Sequence, residues 1–246
     1  MLPRRLSRTA MLFGAEKVGR LTSACAAVFG LGGVGAAAAE ALARSGVGKL
    51  VLADGDRVEE SNLNRQLFAL RSTLGLFKTE AASRRIKDIA PECELSLHPV
   101  FYLPQSVESE QNDLLLGVDV VIDAIDTVTA KLALFEACRA RGIPLLSCMG
   151  TGNRADPSQL RLGDVFETQN DPLCRVMRRE LRKRGAQHLR CVYSKEPPRK
   201  PDGACLAPGD LKNGRTPPSS AAFVPPAAGL LLASAAVRIL TGELEP

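Results

Sequence analysis

Three groups of residues have the types and spacing to handle a nucleotide. Gly30-Leu-Gly-Gly-Val-Gly35 is a G-x-G-x-x-G run that follows an apolar segment and opens an alanine-rich one. Glycines at Gly30, Gly32, Gly33 and Gly35 remove the Cβ atoms that would hold a phosphate away from backbone N–H groups at the positive end of a helix. Nineteen residues beyond Gly35, Asp54 ends a second apolar segment. A carboxylate there can accept hydrogen bonds from both hydroxyls of a ribose. Up to this point an NAD-dependent dehydrogenase fits equally well, since a glycine fingerprint does not say which nucleotide is bound.

The loop after Asp54 is more specific. Asp54-Gly-Asp-Arg-Val-Glu-Glu-Ser-Asn-Leu-Asn-Arg-Gln66 places a dense set of polar groups directly after the strand end, where the ligand crevice of an open α/β sheet lies. Hydride transfer has no use for such a loop, whereas an ATP site does. Arg65 can neutralise charge developing on a pyrophosphate leaving group, and Asn64 and Gln66 can orient phosphates. Lys78, near the start of the next helix, adds a second cation. Asp123-Ala-Ile-Asp126 ends a third apolar segment, and one carboxylate there can hold the Mg2+ that bridges ATP phosphates. Asp126 is the better candidate, because Asp123 lies nearer the strand and is placed to cap the turn. Taken alone, the loop and Lys78 also read as a solvated polar surface.

Such residues need a sheet whose strands all end on one edge, and the hydrophobic pattern supplies one. Apolar runs at 24–29, 49–53, 94–100, 118–122 and 143–148 alternate with helical patterns at 35–44, 75–89 and 128–141. Strand and helix in alternation predict a Rossmann-like, doubly wound and mostly parallel sheet with helices on both faces. After Gly150 the pattern loosens. A short strand is expected near 159–162, a basic helix over 172–184 and a strand over 189–193. A loop over 196–220, long enough for a lid, then leads to a last helix starting near Ala227. The organisation expected is an N-terminal arm over 1–22, a nucleotide core over 23–150 and a smaller, irregular substrate-binding elaboration over 151–246.

Composition narrows the class. The chain has 246 residues, 45% of them hydrophobic, enough to bury a sizeable core. Arg4, Arg5 and Arg8 are followed by no apolar leader region, so a cytoplasmic location is expected. The apolar stretch 221–240 contains Pro225, Pro226, Ser234 and Arg238, so it reads as a core helix and no stable membrane insertion is expected. Seven cysteines without a C-x-x-C pair indicate neither a disulfide framework nor a paired-cysteine zinc site. Cys148 and Cys205 have no neighbouring histidine in the sequence, and His98 and His188 give no catalytic pattern. Charge is local: residues 175–200 hold ten Lys and Arg against Glu180 and Glu196, a net +8, leaving the other 22 basic and 25 acidic residues at −3. Arg178, Arg179, Arg182 and Lys183 lie in this stretch, and a surface of that kind suits a nucleic-acid backbone.

The glycine run, the loop from Asp54 to Gln66, Gly75-x-x-Lys78 and Asp123-x-x-Asp126, in this order, resemble the adenylation domain shared by ubiquitin-activating enzymes and the thiamine and molybdopterin adenylyltransferases. The resemblance implies phosphate contacts at Gly32, Gly33 and Gly35, ribose binding at Asp54, catalytic or phosphate roles for Asn64, Arg65 and Lys78, and Mg2+ on Asp126. It also implies a homodimer in which an N-terminal arginine, Arg8 of the Arg5-Leu-Ser-Arg8 element, reaches the neighbour's ATP. Further matching stretches, among them 40–48, 169–173, 178–183 and 192–196, are similar to the tRNA threonylcarbamoyladenosine dehydratases. That branch implies ATP-dependent activation of the threonine carboxylate of a modified adenosine beside the anticodon, followed by its cyclisation. The implied partner is tRNA carrying threonylcarbamoyladenosine, with a sulfur-transfer (cysteine desulfurase) system as a further candidate partner. Two rivals remain at this point: an adenylyltransferase for a sulfur-carrier or ubiquitin-like protein, and a non-catalytic or NAD-binding Rossmann protein.

Overall fold

The computed structural model describes residues 2–102, 114–205 and 217–245; of the loop expected over 196–220, residues 206–216 lie outside the described residues. The N-terminal arm forms α1 (Ser7–Phe13) and α2 (Ala15–Ser23). There follow β1 (Cys25–Phe29), α3 (Gly33–Ser45), β2 (Lys49–Ala53), α4 (Lys78–Ile89) and β3 (Glu94–His98). Next come β4 (Val120–Asp123), α5 (Val128–Arg141), β5 (Leu145–Cys148) and β6 (Leu160–Asp164). The chain ends with α6 (Pro172–Lys183), β7 (Arg190–Ser194) and α7 (Val224–Leu240).

These strands form one seven-stranded sheet in the order β3-β2-β1-β4-β5-β7-β6, parallel except for the edge strand β6. The chain therefore has the doubly wound α/β fold expected of it. The order reverses between β1 and β4, where such sheets open a ligand crevice at the carboxyl edge.

Burial on both faces explains why β1 reads as an unbroken apolar run. Ala26 and Val28 belong to the core beneath α3, α4 and α7, while Cys25, Ala27 and Phe29 face the opposite side beneath α5. A third apolar cluster joins α5 and α6 through Leu132, Phe135, Cys174, Met177 and Leu181. The alanines of α3 allow α7 to lie against it: a Cβ on Gly229 would stand 2.2 Å from the Val34 carbonyl oxygen. α7 begins three residues earlier than its expected start, at Val224, because Pro225 and Pro226 occupy its first turn, where a missing N–H costs nothing. The C-terminal third thus extends the sheet with β7 and β6 and covers α3 with α7.

The arm is fixed at the far end of α3. Leu6 is fully buried against Gly46, which closes α3 in the left-handed region at φ 98°. Arg5 donates to Glu92 and to the Ala43 carbonyl. Among the described residues no helix is long and apolar enough to cross a membrane.

Helices α3 and α4 are clamped by Glu40, which accepts from Arg85 at 2.6 Å and Arg44 at 2.8 Å. Burial pushes the Glu40 carboxyl up, but these hydrogen bonds outweigh it and hold the group below its ordinary value of 4.5. A lowered folded value means the clamp is fully present above that pH and is lost as pH falls through the folded value. Both arginines are substantially exposed, so solvent screening limits each pair to about 0.5–1 kcal/mol. Urea unfolding of Glu40→Gln should show a loss of about 1 kcal/mol at pH 7 that persists down to the ordinary carboxylate value and shrinks only below it.

Candidate active site

The carboxyl edge of the sheet holds a cavity of about 510 Å3. Its lining is contributed in strand order: Val100, Phe101 and Tyr102 after β3, Asp54–Arg57 after β2, Gly30 and Gly32–Val34 after β1, Ala124–Thr127 after β4, and Thr151 with Gly152 after β5. With strands about 4.8 Å apart, β2 to β5 spans about 14 Å, a length suited to a nucleotide and the group that reacts with it.

The glycines serve different ends. Gly30 is held at φ 86°, and a Cβ there would stand 2.7 Å from the Ala124 carbonyl oxygen. Gly35 does not line the cavity, and its Cβ would stand 1.7 Å from the Gly30 carbonyl oxygen. Gly33 lines the cavity but is packed under Pro225 and the Arg65 carbonyl. At Gly32 the nearest atom to an added Cβ is Gln66 Nε2 at 3.9 Å, so this is the glycine whose missing side chain opens space for a ligand. Gly32 also caps α3 without a side chain. The first N–H groups of that helix are therefore directed toward the cavity as an anion site.

Asp54 is 8% exposed. Its Oδ2 accepts from the Leu31 N–H at 2.6 Å and its Oδ1 from the Asp56 N–H at 2.8 Å. Each oxygen keeps a lone pair for a hydroxyl. Burial pushes this carboxyl above its ordinary range, partly offset by Lys78 and the two N–H groups. Lys78 reaches Asp54 because the polar loop closes on itself: Val58 and Leu76, and likewise Asp56 and Lys78, share backbone hydrogen bonds. The buried Lys78 ammonium lies 2.7 Å from Asp56 Oδ2 and 3.8 Å from Asp54 Oδ2.

Within the loop, the carbonyl of buried Asn62 accepts from the N–H groups of Arg65 and Gln66, setting both side chains at the cavity. Arg65 is steadied by the Ser61 carbonyl and Asn64 Oδ1, each at 2.8 Å. Asn64 is outside the lining. It is exposed and donates to the Ser220 carbonyl at 2.9 Å, so here it ties the loop to the chain entering α7. Asp126 lines the cavity, exposed and bonded to Thr127. Among the described residues no three His, Cys, Asp or Glu side chains gather as a metal cage. An exposed carboxylate such as Asp126 is the kind of donor that Mg2+ takes when phosphates and water complete its shell.

Arg8 lies on α1, on the arm fixed at the opposite end of α3 from Gly33. That helix has 13 residues, about 20 Å at 1.5 Å each. Cys148 is buried, its thiol pushed up to about 12 by desolvation, while Cys205 is exposed and does not line the cavity. The cavity contributions of Phe101, Tyr102, Thr151, Pro218 and Ser220 were not anticipated from the sequence. They come from loops with no recognisable spacing.

α6 starts at Asp171, whose carboxylate accepts from the N–H groups of Cys174 and Gly150, both at 3.0 Å. The basic helix is thereby anchored to the loop that follows β5. Its buried face is Cys174, Met177 and Leu181. Arg179, Arg182 and Lys183 are exposed, with Arg179 and Lys183 each 3.0 Å from Glu180. Arg178 is half-buried, and its Nη1 donates to the Val165 and Thr168 carbonyls and to the Thr168 hydroxyl, which ties α6 to the sheet edge.

Sheet, crevice and phosphate-facing helix define a nucleotide-binding domain of the Rossmann-like kind, with a polar loop that brings Arg65 and Gln66 to the cavity. The chain belongs to the ThiF family, whose model matches residues 6–246. It is 41% identical over 249 residues to a tRNA threonylcarbamoyladenosine dehydratase of Bacillus subtilis, covering 98% of this chain and 96% of the relative. With the Escherichia coli enzyme of the same name it is 39% identical over 200 residues, 78% of this chain and 74% of the relative. The crystal structure of the E. coli tRNA N6-threonylcarbamoyladenosine dehydratase in complex with ATP superposes with a TM-score of 0.85 at 34% identity, covering 98% of this chain and 95% of the other.

Proposed function

We propose that the chain is an ATP-dependent tRNA threonylcarbamoyladenosine dehydratase. It activates the threonine carboxylate of the modified adenosine as an acyl-adenylate, with pyrophosphate leaving. The side chain then cyclises with release of AMP and net loss of water. The observation that carries this reading is the carboxyl-edge cavity. It unites Gly32, Gly33, Asp54, Arg65, Gln66, Lys78 and Asp126 in a chain that is collinear with an ATP-bound dehydratase over almost its whole length.

We assign the subsites along the strand order. The nucleoside lies at the β2–β3 end, its ribose on Asp54 and its base against the Phe101 and Tyr102 wall. The α-phosphate sits over the N-terminus of α3. Arg65 and Lys78 take charge on the departing pyrophosphate, Gln66 steadies the phosphates, and Asp126 is the residue that would hold Mg2+. The acceptor carboxylate enters at the β4–β5 end, beside Thr127, Thr151 and Ser220. Asn64 acts through the loop it ties down.

The distance of Arg8 from its own cavity suits a role in a homodimer, where it would serve the partner's site. A cytoplasmic location follows from the tRNA substrate, and a sulfur-transfer partner is compatible with the reading. Arg179, Arg182 and Lys183 supply the RNA-facing charge. Arg182→Ala/Lys183→Ala should weaken tRNA binding and flatten the slope of log affinity against log salt by about 1–2. Arg178→Ala should instead lower the thermal midpoint while leaving that slope unchanged.

AMP release from ATP and Mg2+, measured with and without tRNA carrying threonylcarbamoyladenosine, tests the reading. Release that requires the modified tRNA, with loss of water from the nucleoside by mass spectrometry, supports it. Release that ignores tRNA and depends on a carrier protein ending in Gly-Gly would transfer the chain to the protein-modifying branch.

A further inference from the structure

Beneath the β4–β5 side of the cavity lies a charged network that nucleotide binding does not use. Lys131 stands in the first turn of α5, where side chains tilt back toward the helix N-terminus and so toward the sheet. Lys131 and Asp123 are each 1% exposed, and Ser147 is fully enclosed. The Lys131 ammonium donates to Asp123 Oδ2 at 2.9 Å, Ser147 Oγ at 3.3 Å and the Cys148 carbonyl at 2.7 Å. Three protons meet three acceptors, so none is left for a ligand. Asp123 is equally engaged: Oδ2 also accepts from Ser147 Oγ at 2.6 Å, and Oδ1 accepts from the Ile125 N–H at 3.1 Å.

A buried ion pair is a poor device for holding a sheet together, since apolar residues of similar volume do so as well or better. Its placement suggests a different use. Asp123 is the last residue of β4 and Cys148 the last of β5. The chain leaving Asp123 brings Asp126 and Thr127 to the cavity, and the chain leaving Cys148 brings Thr151 and Gly152. We propose that Lys131 is a positioning residue that fixes these two loops in one register, so that the acceptor carboxylate is presented at the correct angle to the nucleotide. The proposal rests on the dehydratase reading, which defines that end of the cavity as the acceptor end. Lys131 acts through Asp123 on the Ile125 N–H and directly on the Cys148 carbonyl.

The test is the double variant Asp123→Asn/Lys131→Met. It removes both charges, keeps an acceptor for the Ile125 N–H and fills the lysine stem's volume. AMP and a non-hydrolysable ATP analogue should bind within about threefold of wild type, because Asp54 and the glycine turn are untouched. The turnover number with modified tRNA should fall on the order of tenfold or more. Amide hydrogen exchange should quicken in 124–127 and 149–152 but not in 32–35. Ser147→Ala keeps the charges paired and serves if the double variant does not fold; it should show the same split at about threefold. Wild-type turnover per folded molecule with unchanged exchange in these variants would overturn the proposal and leave the dehydratase reading intact. Wild-type protein that shows no turnover on modified tRNA would overturn both.

Discussion

Arg65→Ala is expected to lower tRNA-dependent AMP release on the order of a hundredfold or more while leaving the fold intact. The fold should survive because, among the described residues, the Arg65 side chain donates to the Ser61 carbonyl and Asn64 Oδ1 within its own loop. The loop's shape is set instead by the carbonyl of Asn62 and by the pairing of 56–58 with 75–78. Activity should not survive, because charge builds on the pyrophosphate oxygens as they depart. A fixed guanidinium at the cavity wall stabilises that charge more than it stabilises bound ATP. The loss should therefore appear mainly in the turnover number. Arg65→Lys should recover only part of it, since an ammonium lacks the planar fork that pairs with two oxygens at once. Near-wild-type turnover by Arg65→Ala, with thermal stability retained, would remove Arg65 from the chemistry.

Asp54 and Lys78 show how far this site could be read from the chain alone. Asp54 was legible because a carboxylate at a strand end, a fixed distance after a glycine turn, has few structural alternatives. Lys78 lies 24 residues further on, and nothing in its own neighbourhood announces that it returns to Asp54 and Asp56. Its place near the start of the next helix marked it as a second cation, and the pairing of Val58 with Leu76 brings it to the two carboxylates. Arg178 shows a different limit. In sequence it is one cation among ten, but the helix brings its Nη1 to the Thr168 carbonyl. A charge run records how many cations a helix carries, while the pitch of that helix decides which of them are free. The far side of the cavity was illegible for a further reason: Thr151 arrives from the loop after β5, and Pro218 and Ser220 arrive from the chain before α7. Their meeting depends on contacts such as Asn153 with Ser219, whose N–H donates to Asn153 Oδ1 at 2.7 Å, and these have no local pattern.

The glycine turn provides the sharpest contrast between packing and binding within one motif. Gly35→Ala should fail to yield folded protein, or should lose about 4 kcal/mol or more by urea unfolding, a large share of what a domain possesses. The added methyl would stand 1.7 Å from the Gly30 carbonyl oxygen and 3.3 Å from Ala124 Cβ. Neither can withdraw, since Gly30 is held between β1 and the chain leaving β4. Gly32→Ala should behave in the reverse way. Its φ of −73° is ordinary for alanine, and the methyl would project into open space, so the unfolding midpoint should stay near wild type. The methyl would nevertheless occupy the place from which a phosphate reaches the first N–H groups of α3. Losing one charge-assisted hydrogen bond of about 1.5–3 kcal/mol weakens binding about 10- to 100-fold. ATP titration by calorimetry on the folded Gly32→Ala protein checks this, and unchanged affinity would move the phosphates away from the end of α3. The motif therefore joins two demands that a sequence pattern cannot separate: Gly35 allows the helix to approach the strand, and Gly32 allows the ligand to approach the helix.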